Sequence, residues 1–165
     1  MVTRLLTFLR WILALVVAAS VWILKLAVAA SATYVLAVIA NSQFTMNAHN
    51  VPITLADRLN MTAFDVSNMG LYFVVILIAL LLGFLIATLL KRLLPSLSAI
   101  AFPIAGAAAL GTVLGLMYMQ FQTVPISGAR SAMGFLTQVI AGGIGGWIFA
   151  KLSSAKAKST GIQAE

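Results

Sequence analysis

The chain has no cysteine, a single histidine and only three acidic residues in 165. Each shortage closes off a class of chemistry. Without cysteine there is no disulfide, no thiolate nucleophile and no cysteine metal site. His49 alone cannot supply a bis-histidine haem and leaves a zinc site short of ligands. The acids, Asp57, Asp65 and Glu165, all lie outside the long apolar runs. Many ion-coupled transporters and proton relays hold carboxylates or histidines at membrane depth; here those runs hold neither. No cofactor is expected. Charge of either sign is scarce, at 8% of residues against about 25% in soluble domains.

What the chain has in place of charge is apolar surface. Hydrophobic residues make up 62% of it and the mean hydropathy is +1.11, more than a soluble core of this length can bury, so the expected solvent is lipid. The formal net charge of +7 would suggest nucleic acid if it were spread over a soluble face. Instead the basic residues flank the apolar runs, so no nucleic-acid partner is expected and membrane lipids are.

A transmembrane helix needs about 20 apolar residues, and four segments qualify: about 14–40, 71–90, 97–120 and 131–150. The expected fold is an all-α membrane protein, a four-helix bundle occupying residues 1–152. Lysine and arginine in short loops set the orientation. Placing the N-terminus inside puts Arg4, Arg10, Lys91, Arg92, Lys151, Lys156 and Lys158 on the cytoplasmic side and leaves Arg58 and Arg130 opposite. This predicts an N-in/C-in, multi-pass protein of a bacterial inner membrane. The first run, Trp11–Ala40, is about 45 Å long as a helix, well beyond a hydrocarbon core of about 30 Å. It therefore tilts, or one end leaves the core. Its basic start and Ala27-Val28-Ala29 also resemble a cleavable secretory signal, but the apolar run continues past that point, which favours an uncleaved anchor.

Residues 41–69 form the one sizeable polar segment. Thr54-Leu55-Ala56-Asp57 and Thr62-Ala63-Phe64-Asp65 both read Thr-x-x-Asp, close to a capping box. They predict one or two short extracytoplasmic helices resting on the bundle or the membrane surface. Residues 153–165 are small and polar and are expected to be a disordered cytoplasmic tail.

Lys25 interrupts the first run and has no acid within the membrane to meet. If the hydrocarbon begins near Ala18, it lies about 10 Å deep. Either its stem snorkels to the phosphates, or it meets a lipid headgroup, an acid on a partner subunit or a transported anion. Gly134, Gln138, Gly142 and Gly145 share a face of the fourth helix, and Gly142-x-x-x-Gly146 is a small-xxx-small motif. Ala101, Ala105, Ala108, Thr112 and Gly115 form the expected matching face on the third helix, with Gly111-x-x-x-Gly115 alongside. Such faces serve packing within the chain, a homo-oligomer or a partner subunit. Gln138 must find hydrogen-bond partners, with Thr112 or backbone carbonyls in reach. Pro103 is expected to kink the third helix. Arg130, at the positive end of the fourth helix and outside the positive-inside pattern, suggests a latch to Asp57 or Asp65, or an anion.

For catalysis, His49 is the one possible imidazole base, and no nucleophile elbow or metalloprotease motif accompanies it. The expected function is therefore that of a small non-catalytic membrane protein, an accessory or assembly subunit acting through helix–helix contacts with a partner subunit or a second copy. The alternative is an oligomeric transporter or channel component for a small neutral or anionic species, with Lys25, Arg130 and Gln138 as contacts. A membrane hydrolase using His49 comes third.

Overall fold

The structure is a computed structural model that describes residues 2–48, 53–94 and 97–161. Among these it is all-helical, with five α-helices: α1 (Val2–Ala48), α2 (Leu55–Asn68), α3 (Gly70–Leu93), α4 (Ala101–Phe121) and α5 (Ala132–Gly161), and a 3₁₀ turn at Ser127–Ala129 before α5. All but α2 are long and apolar enough to cross a membrane. The chain is a multi-pass membrane protein.

The four long helices alternate in direction. At one end Trp22, Phe84, Phe102 and Phe149 form an aromatic cluster, with Phe84 and Phe149 ring centroids 4.6 Å apart. At the other end Tyr72 and Ala37 both meet Gln138. Residue number therefore rises toward the second end along α1 and α4 and falls toward it along α3 and α5. Lys91, Arg92 and Lys151 lie at the aromatic end, called here the basic end; α2 and the 3₁₀ turn cover the other.

α1 contains no glycine and no proline, so nothing in its 47 residues breaks it. It runs to Ala48, past the expected end at Ala40. The hydropathy drop at Asn41 marks where the helix leaves an apolar environment, and Asn41, Ser42 and Gln43 there carry tertiary hydrogen bonds. Between Trp22 and Met46 α1 packs on α5, α3 and α2. From Leu6 to Ser20 every side chain is exposed.

Thr54 is the N-cap of α2 in a full capping box with Asp57, which makes the first Thr-x-x-Asp pattern a helix start. The second is not one: Thr62 lies mid-helix and donates to the Arg58 carbonyl at 2.8 Å. α4 begins at Ala101 rather than near Leu97, and that shift disposes of the expected kink. Pro103 falls in the first turn, where the backbone N–H has no intrahelical partner to lose. Ser131 caps α5, its Oγ accepting from the Gly134 N–H at 3.0 Å. The helix continues past Lys151 to Gly161, through most of the segment expected to be disordered.

Small residues bring the backbones together, on faces that differ in part from those expected. A Cβ on Gly106 of α4 would collide with the Gly142 carbonyl, and one on Gly146 with the Phe102 carbonyl. Gly145 faces α1, against Thr33 and Ala29. Gly134 closes on the Gly128 carbonyl of the 3₁₀ turn. On α4, therefore, the surface that meets the α5 glycines is Phe102, Gly106 and Leu110. Ala101, Ala105, Ala108 and Thr112 instead line a groove toward α3. Gly111 makes ordinary contact with Val139 and Phe135, and Gly115 has no neighbour within 4 Å.

Candidate functional site

Polar side chains converge at the α2 end. The last turns of α1 present Asn41, Ser42, Gln43, Thr45 and Asn47, and α2 lays its polar face, not its apolar one, against them. Gln43 Nε2 donates to Thr62 Oγ1 at 3.2 Å, and Arg58 donates to Gln43 Oε1 at 2.8 Å and to Asn47 Oδ1 at 3.0 Å. Ser42 Oγ lies 2.6 Å from Asp65 Oδ2, donating to it, and 3.0 Å from the Val38 carbonyl. Tyr34 OH donates to the Val66 carbonyl at 2.7 Å. Hydrogen bonding thus seats α2, and Leu55, Leu59 and Phe64 are left exposed. Of the two expected resting places for the segment's apolar residues, the bundle or the membrane surface, these three do not take the bundle.

The 3₁₀ turn is pinned to the same place. Asn41 Oδ1 accepts from the Gly128 N–H at 2.8 Å, and Thr45 and Ser127 hydroxyls meet at 2.7 Å. A Cβ on Gly128 would stand 2.5 Å from the Asn41 carbonyl oxygen, so only glycine lets the turn approach α1 this closely. Between these elements lies a cleft of about 250 Å³. Asn41, Ser42, Thr45, Asp65 and Ser127 give it polar atoms, and Met46, Met61 and Met69 give it thioethers. Asn41 Nδ2 lies 3.6 Å from Met69 Sδ. Asp65 is the cleft's one charge, and among the described residues no cation pairs with it. The arrangement can take up a small polar or cationic group. No group of three or more His, Asp or Glu side chains among the described residues is placed to hold a metal.

Of the residues singled out from sequence, Asp65 lines this cleft and Gln138, Arg130, Asp57 and Lys25 do not. Gln138 is fully buried, deeper in the bundle; its Oε1 accepts from Tyr72 OH at 2.9 Å and its Nε2 donates to the Ala37 carbonyl at 2.9 Å. It ties α5 to α3 and α1, and Thr112 has no part in it. Arg130 is exposed, and its Nε donates to the Val124 carbonyl at 3.0 Å. Asp57 caps α2 and Asp65 meets Ser42, so among the described residues no latch joins Arg130 to either aspartate. The physical reason is local competition: each group finds a partner on its own or the adjacent element.

Lys25 is half-buried. It lies one turn, about 4.5 Å along α1, from Trp22, whose ring meets Phe149 edge-on at 5.5 Å. Lys25 thus belongs to the basic end, within a stem's reach of the level of Lys151 and far from Gln138. His49 lies outside the described residues. Asn41, Ser42, Tyr34 and Tyr72 were missed as site residues by the sequence reading. The signal available was a row of polar residues directly continuing an apolar helix. No protein-family model, curated protein or solved structure matches this chain.

Proposed function

We propose that this chain is a small non-catalytic accessory or assembly subunit of a bacterial inner membrane, oriented N-in/C-in with α2 and its cleft on the extracytoplasmic side. The positive-inside pattern supports the orientation, since Arg10, Lys91, Arg92 and Lys151 fall at or beyond one end of the bundle and Arg58 and Arg130 at the other.

One observation carries the assembly reading: every side chain of α1 from Leu6 to Ser20 is exposed, and all of them but Thr7, Arg10 and Ser20 are apolar. As a helix, α1 is about 70 Å long, against a hydrocarbon core of about 30 Å. The bundle accounts for its second half. The first half, with Leu13 at 65% and Trp11 at 67% exposure, leaves the bundle at the basic end with no proline or glycine to turn it back into the bilayer. A helix hydrophobic all round requires burial, and a partner subunit supplies it. Of the roles open to the α5 glycines, Gly142, Gly145 and Gly146 take packing within the chain, so the contact surface is sought on α1.

The absence of native cysteine makes the test direct. A single cysteine at Leu13, carrying a photo-crosslinker in native membranes, is expected to give one discrete heavier species whose mass identifies a second copy or another subunit. Leu13→Gln with Val16→Gln abolishes that species while the bundle stays folded. Crosslinks to lipid alone would overturn the proposal.

A further inference from the structure

A groove of about 730 Å³ runs between α3 and α4. Its floor is made of small residues, Gly83, Ala105 and Ala108, and its walls include Ile86 and Ile104, both more than half exposed. At the floor the two backbones nearly touch: a Cβ on Gly83 would stand 3.1 Å from the Ala105 carbonyl oxygen. The one charged residue in the lining is Lys91, at the basic end. Its Nζ sits 4.7 Å from the centre of the Phe102 ring, and Arg92 follows it in the last turn of α3. Among the described residues the acids Asp57 and Asp65 lie at the opposite end, so this pair of cations has no counter-charge within the bundle.

We propose that the groove binds one anionic glycerophospholipid, with an acyl chain along the floor and the phosphate at Lys91 and Arg92. Dimensions admit this occupant. From Val75 to Lys91 the groove follows α3 for about 24 Å, long enough for an acyl chain to run down one leaflet's share, about 15 Å, of the hydrocarbon core, and its volume of about 730 Å³ accommodates such a chain. Charge selects the headgroup. Lys91 and Arg92 already complement the negative end of α3, and their remaining field falls at the phosphate level of the leaflet on that side. There each basic residue near an anionic surface is worth about 1 kcal/mol, or roughly fivefold. This site is independent of the α1 contact and stands or falls without it.

Native mass spectrometry of the full chain in detergent, titrated with dioleoyl phosphatidylglycerol or dioleoyl phosphatidylcholine, tests it. The wild type is expected to retain the anionic lipid at roughly 25-fold lower concentration. Lys91→Gln and Arg92→Gln each reduce that preference roughly fivefold. Ala108→Phe fills the groove and lowers retention of both lipids. If Ala108→Phe does not fold, the two charge variants decide, since both side chains lie at the surface end. Equal retention of the two lipids by the wild type overturns the proposal. So does a preference that survives loss of both charges, or a polypeptide crosslinked along Ala108.

Discussion

Gly142 and Gly115 both belong to small-xxx-small patterns, and only Gly142 has a close neighbour. A side chain at Gly142 meets the Gly106 carbonyl and Leu110, backbone and packed core that cannot yield. Gly142→Leu is expected to cost about 3 kcal/mol or to abolish folding. Gly115→Leu, with nothing within 4 Å, is expected to stay within about 0.5 kcal/mol of wild type. Thermal melting in detergent separates the two. At Gln138 the cost is polar. Gln138→Leu removes the acceptor of Tyr72 OH, and Tyr72→Phe removes that donor. Each is expected to cost about 0.6–1.7 kcal/mol, and the double variant much less than their sum. Additive losses in that cycle would show that the pair is not coupled. The sequence made Gln138 legible, because an amide in an apolar run must be satisfied. It did not make Tyr72 legible, because that partner is chosen by lateral packing. For the same reason Gly111-x-x-x-Gly115 drew attention away from Gly106: a motif gives spacing along a helix, and tertiary packing alone sets which side faces α5.

At the scale of elements, α2 is the part held most by hydrogen bonds and least by burial, with no buried residue of its own. The polar contacts with α1 are each worth about 1 kcal/mol, so α2 is the element expected to detach first. Asp65→Asn together with Ser42→Ala is expected to speed amide exchange across α2 and leave α3–α5 protected. Cysteines at Gln43 and Thr62, whose native side chains meet through the glutamine amide at 3.2 Å, are expected to be joined by a short bifunctional thiol crosslinker that holds α2 in place. Failure of every spacer length to join them would mean that α2 sits elsewhere. The start of α2 could be read from Thr54 and Asp57. The end of α1 could not: hydropathy falls at Asn41 while the backbone stays helical, because the polar side chains there have partners on α2 and the 3₁₀ turn. The Arg130 latch was drawn from charge alone, and local acceptors outcompeted the distant aspartates.

For the molecule as a whole, the long apolar helices were legible from composition and length, and their alternating direction followed from short connections. The packing order was not, because lipid and protein interior are equally apolar, so a membrane helix carries little mark of which side meets its neighbours. The orientation has a direct check. A cysteine at Asn68 is expected to react with a membrane-impermeant maleimide added to intact cells, and one at Ser154 only after the membrane is opened. The reverse pattern would invert the topology. The uninterrupted course of α1 has a mechanical consequence. One helix carries both the exposed segment at Leu6–Ser20 and the hydrogen-bonding side chains Asn41 and Ser42. Without a glycine or proline between them to bend it, the outer segment is aimed by the bundle: the packing from Trp22 to Met46 fixes the direction in which Leu6–Ser20 is held out.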